Sequence, residues 1–107
     1  MGKSKGAKIG SNGGNVKIGS SGDCAQIGSS GDENEIICSG NNSIISAIGK
    51  KSKVKAVKGC WIVLAEYGDD GTPIHVVSRK IDGKKLKEGI YYSLKNGRIV
   101  PVKEYFL

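Results

Sequence analysis

Acid–base chemistry needs two titratable groups brought together with separated pKa values. In this chain the residues that could supply it are His75, Glu66, Asp69 and Asp70. The acids cluster around the turn "EYGDDGTP", and the single histidine follows in "IHVVSRKI". A histidine next to valines in a strand ordinarily serves structure, and an Asp pair beside glycine ordinarily shapes a turn. A nucleophile paired with a base is not legible, so no enzymatic activity is expected. Two other constellations point to ligands. The loops "GSNG", "GSSG" and "GSSG" are glycine-rich, but a phosphate cradle also needs a helix start and a following lysine. Asp23 and Asp32 occupy equivalent turn positions, yet Gly14, Asn41, Lys50 and Gly59 replace them elsewhere, too few acids for calcium. Their expected role is hydrogen bonding to their own turn backbone. Cys24, Cys38 and Cys60 are odd in number and lack CxxC spacing; buried free thiols are expected, with no metal and no cofactor.

The elements that would carry these residues follow from a repeat. Nine-residue rows run from Gly6 without a gap: "GAKIGSNGG", "NVKIGSSGD", "CAQIGSSGD", "ENEIICSGN", "NSIISAIGK" and "KSKVKAVKG". The fourth column reads Ile9, Ile18, Ile27, Ile36, Ile45 and Val54, and the eighth is glycine until Lys58. A β-branched residue at a fixed place followed by a glycine-rich bend is a short strand and a turn. Such a period predicts an all-β fold, a short parallel β-solenoid whose coils bury one another. Strand alternation sends columns two, four and six inward and columns one, three and five outward. Two rows per coil would set Glu33 beside Lys51 and Glu35 between Lys17 and Lys53, an attractive cross-strand arrangement.

The period stops at Cys60. "CWIVLAEY" reads as a buried strand, "IHVVSRKI" as another, and "IYYSL" and "RIVPV" flank "KNG", whose Asn96 and Gly97 suit a tight hairpin. The organisation expected is therefore a disordered basic start (1–5), a solenoid of six rows (6–59) and a C-terminal antiparallel β cap (60–107).

"GCWIVLAEY" after Gly-Asp-rich nonapeptides, followed by "IDGKKLKEGIYYSLKNGRIVPV", resembles the ending of uncharacterised repeat proteins encoded by phages and gut Bacteroidota, over about Ala7 to Val102. The resemblance implies a setting, mobile DNA in a bacterial cytoplasm, and not a mechanism; that layout, the small size and the missing catalytic groups together lead to the expectation of a non-enzymatic inhibitor of a bacterial defence complex, of the anti-CRISPR type. It implies no catalytic residues.

Charge is the remaining feature that could carry function. The chain has 107 residues and a net charge of +7. Lys50, Lys51, Lys53, Lys55 and Lys58 gather in and beside the last row, and alternation places Lys51, Lys53 and Lys55 on one outer face. Such a stripe attracts polyanions, although lysines also keep β surfaces soluble. A duplex mimic should be acidic, so that role fits this basic chain poorly. Direct nucleic-acid binding through the lysines and a structural phage role stand as alternatives. Tyr91, Tyr92, Tyr105 and Phe106 supply aromatic surface for a homodimer. No apolar run is long enough to span a membrane, and "MGKSKG" lacks a signal peptide's apolar stretch, so the cytoplasm of a bacterial host is the expected location.

Overall fold

The computed structural model describes residues 8–102. The start at 1–5, Tyr105 and Phe106 lie outside them. Within the described residues every regular element is a strand: β1 (Lys8–Ser11), β2 (Lys17–Ser20), β3 (Gln26–Ser29), β4 (Glu35–Cys38), β5 (Ile44–Ala47), β6 (Lys53–Ala56), β7 (Trp61–Tyr67), β8 (Pro73–Lys80), β9 (Tyr91–Lys95) and β10 (Arg98–Pro101). No helix is long and apolar enough to cross a membrane.

The fold is a short β-solenoid with two rows per coil. Alternate rows stack in parallel, β1-β3-β5 on one side and β2-β4-β6 on the other. Isoleucines pair in register up each stack, Ile9 with Ile27 with Ile45 and Ile18 with Ile36 with Val54. Ile36 and Ile45 are fully buried, and Ala25, Ala47 and Ala56 fill the narrow space beside them. The side chain of Glu35 lies between Lys53 at 3.2 Å and Lys17 at 4.0 Å, as two rows per coil requires.

Small polar residues of the second column close the coils. Buried Asn34 accepts the Val16 N–H at 2.8 Å, Ser43 Oγ accepts that of Ala25 at 3.1 Å, and Ser52 Oγ accepts that of Asn34 at 3.3 Å. Each bond joins one coil to the next, so these polar groups enter the interior already satisfied.

The turns depart from the expected roles in three ways. Asp23 and Asp32 do not bond their own backbone: their carboxylates accept the N–H groups of Asn41 (2.9 Å) and Lys50 (2.8 Å), one coil on. Cys24 is exposed, because column one lies in the bend; only Cys38 and Cys60 are buried. The left-handed backbone falls on column one, Asn15, Cys24, Glu33, Asn42 and Lys51, at φ of 56° to 58°. For an L-residue that conformation costs about 1–2 kcal/mol, which glycine avoids. Cys24→Gly keeps the Cys24 N–H bond to Asn41 O. It is expected to raise stability by about 1 kcal/mol in urea titrations, and unchanged or lowered stability would refute the assignment of strain.

Two further expectations are corrected. The antiparallel cap does not start at Cys60, because β7 is parallel to β5 and extends the first stack, pairing Ile45 with Ile62 and Ala47 with Leu64. Nor is β7 buried throughout: Ile62 and Leu64 point inward, while Trp61 is 46% exposed. The antiparallel part comprises β8 on β7, β9 on β6 and β10 on β9. Ile81, Leu86, Leu94 and Ile99 of this part pack onto the same core. Asn96 and Gly97 take positive φ in the β9–β10 turn, as the "NG" pair predicts.

Candidate binding face

Column three and column five of the second stack form an outer face that continues onto β9. Register aligns Lys17, Glu35 and Lys53 in one row, and sets Lys55 opposite Tyr91 in the next. The Lys53 and Lys55 ammonium groups lie 4.7 and 4.8 Å from the Tyr91 ring centroid. A ring quadrupole attracts each cation, by about 0.5–2 kcal/mol between exposed and desolvated sites, and both lysines here are half-buried. Lys53 is also paired with Glu35, and that carboxylate is shared with Lys17. Farther along, Lys95 and Arg98 are direct cross-strand partners with the same charge. Like charges opposite one another are repulsive, and an anion laid across them relieves the repulsion.

The five lysines singled out by the sequence do not make one stripe. Lys53 and Lys55 frame Tyr91. Lys50 and Lys51 sit in the preceding bend and line a cleft of about 660 Å³ with Lys95, Glu66, Tyr67 and Asp69. Lys51 leaves the strand face because its left-handed backbone precedes β6. The Lys50 ammonium stands 5.9 Å from the Tyr67 ring, whose hydroxyl donates to Ile48 O. Lys58 lies apart, its methylenes under Gly83 in the loop after β8. Tyr92 is buried, and its hydroxyl accepts the Lys87 N–H at 2.8 Å; its ring packs the interior, whereas Tyr91 is half-buried on the outer face. Lys95, Arg98 and Tyr67 were not singled out in the sequence, since nothing periodic marks them. Only the chain path brings them alongside the last row.

The acid–base candidates are split. Glu66 and His75 do meet, His75 Nδ1 lying 2.9 Å from Glu66 Oε1. The same carboxylate accepts the N–H groups of Asn96 (2.7 Å) and Gly97 (2.8 Å). Glu66 therefore clasps the β9–β10 turn to the β7–β8 hairpin, and these amides, followed by His75, hold its carboxyl below the usual carboxylate range. Asp70 is occupied in its own turn, accepting from Thr72 N and Thr72 Oγ1, which lowers its pKa. Asp82 accepts three successive amides, Lys84, Lys85 and Leu86, and is lowered likewise. Burial pushes the Cys60 thiol up. No cluster of three His, Cys, Asp or Glu suited to a metal occurs among the described residues.

A depressed carboxyl stabilises the fold above its unfolded pKa, about 4.3 for Glu, and that contribution is lost as pH falls through the folded value. Melting temperature is expected to hold from pH 7 to about 5 and to fall steeply below about pH 4. Glu66→Gln is expected to melt lower at pH 7 and to lose part of that acid dependence. An unchanged pH profile in the variant would show that the clasp contributes nothing.

No protein family matches the chain, and neither a curated protein nor a solved structure matches it.

Proposed function

We propose that the chain is a non-enzymatic binding protein that docks its basic face on an acidic surface of a bacterial defence nucleoprotein complex and inhibits it. The observation that carries this reading is the Lys53–Tyr91–Lys55 arrangement, continued by Lys95 and Arg98 on one sheet face. Across the strands of that face Lys17, Lys53, Lys55, Lys95 and Arg98 meet the single acid Glu35, already engaged by two lysines. A stacked-coil scaffold holds these groups at fixed spacings, so little conformational entropy is lost on docking. The phage-like layout of repeat and cap supports the defence-complex setting.

Half-buried Lys55 and exposed Lys95 test it. The purified protein is expected to recover a nuclease-containing complex from host lysate and to slow its cleavage. Lys55→Glu with Lys95→Glu is expected to reduce that affinity about tenfold or more and to flatten its salt dependence. Recovery of no such complex at physiological salt would overturn the proposal. Binding of bare duplex or single strands, with a slope in log salt that falls by about two in the double variant, would instead favour direct nucleic-acid binding, the reading that the aromatic ring between two cations supports.

A further inference from the structure

The opposite side of the molecule has a different character. On the outer face of the first sheet, Ile44 stands beside Trp61, Val63 lies between Ser46 and Ser78, and Ala65 pairs with Val76. Ile44, Trp61, Ile74 and Val76 are about half exposed or more. This face ends at β8, an edge strand eight residues long. β7 occupies one flank of β8, and no described strand pairs the other.

The geometry of that free flank is self-complementary. Ile81 N–H donates to Cys60 O, and Ile81 O accepts the Gly59 N–H. In an antiparallel ladder the bonded residues alternate, so the odd-numbered residues of β8 bond β7. Ile74, Val76, Ser78 and Lys80 then turn their amides and carbonyls to the open side. Ser78 O shows this directly: it is capped by the neighbouring Arg79 guanidinium at 2.9 Å. Charge is divided along the strand. Arg79 and Lys80 end it, while Asp69 and Asp70 are exposed in the turn that leads into it. An edge this long and apolar at its centre, with its cations confined to one end, lacks the central charge that usually blocks pairing.

We propose that β8 pairs antiparallel with β8 of a second copy about a two-fold axis through Val76. Val76 then meets its own mate, Ile74 meets Ser78, and about six N–H···O=C bonds close the edge, the Arg79 guanidinium giving up Ser78 O to the Ile74 N–H of the second copy. The antiparallel sense carries Lys80 of each copy to the acidic turn of the other, so both ends are attractive. A parallel pairing would set the cations side by side. The two five-stranded sheets become one, and their apolar outer faces join. Val76 lies on the other sheet from the basic face, so the Val76 variant tells failure of this pairing apart from failure of the docking reading.

Sedimentation of the full chain from about 1 to about 200 µM is the test. A dimer whose fraction rises with concentration is expected. Val76→Lys, at a side chain 64% exposed, is expected to keep the circular dichroism spectrum and weaken association at least about tenfold. Lys80→Glu is expected to weaken it too, and Lys80→Glu combined with Asp69→Lys to restore it. A wild-type monomer throughout, an undiminished dimer in Val76→Lys, or failure of the charge swap to restore association would each overturn the proposal.

Discussion

Gly40→Ala is expected to cost about 4 kcal/mol or more, lowering the melting temperature by at least about 15 °C, while Gly28→Ala raises stability by about 0.5–1 kcal/mol. The two substitutions add the same methyl group to the same kind of repeat and differ only in what it meets. A Cβ on Gly40 would lie 1.9 Å from Gly22 O and 2.4 Å from its carbonyl carbon. Gly31 and Gly49 face Gly13 and Gly31 in the same way, at 2.0 and 1.8 Å. No rotamer relieves a clash between a Cβ and backbone, so the coils must part. Parting them strains the bonds that join Ser39 N to Ser20 O and Asn41 N to Asp23 Oδ1. A Cβ on Gly28 meets nothing within 4 Å on the outer face, and the backbone there suits any residue, so the gain comes from a less disordered unfolded chain. Thermal melts of the two variants decide it. A Gly40→Ala protein melting within a few degrees of wild type would mean that the glycine stack is not in close contact.

Asn34→Ala is expected to cost about 2–4 kcal/mol. The residue is fully buried. Its carbonyl oxygen accepts the Val16 N–H at 2.8 Å and its amide donates to Ser29 Oγ, so truncation strands one backbone donor and one hydroxyl. Each such group, buried without a partner, costs about 1–3 kcal/mol, partly recovered if water enters. Ser43→Ala removes the acceptor for Ala25 N–H and a long donation to Gly40 O, a carbonyl that also accepts from Cys60 Sγ, and is expected to cost roughly half as much. Urea titrations of both variants at pH 7 test the ordering. Equal costs would show that the donor to Ser29 adds nothing, and a cost below about 1 kcal/mol for Asn34→Ala would refute the polar spine altogether.

The same two rows of residues explain how surface and interior are coupled. Ile45 is enclosed while its neighbour Ile44 faces solvent, because alternation along four residues allows no exception. The consequence is that Ile44 and Trp61 are committed to the outside by the ladder itself. Their hydrophobicity is therefore available to whatever pairs with the first sheet. On the second sheet the corresponding places hold Glu35, Lys53 and Lys55. One scaffold thus presents an apolar side ending in an open strand and a basic side that carries an aromatic ring.

Sequence alone determined the solenoid. Isoleucine at every ninth residue places one branched side chain per strand on the inner face, and the charges of Lys17, Glu35 and Lys53 favour two rows per coil. The "NG" hairpin was equally plain, since its φ preferences are local. Other features depended on neighbours distant in the chain. That Asp23 and Asp32 reach the next coil, that glycine at column eight is demanded by a carbonyl one coil below, and that column one carries the left-handed backbone are all properties of stacked coils. The end of the stack shows the same limit. β7 joins β5 after the repeat is lost, and Glu66 ties two hairpins whose sequences give no sign of meeting. A period records what every coil does alike, because identical environments select similar residues. Contacts made once, between segments that do not repeat, leave no periodic trace, and only the path of the folded chain decides them.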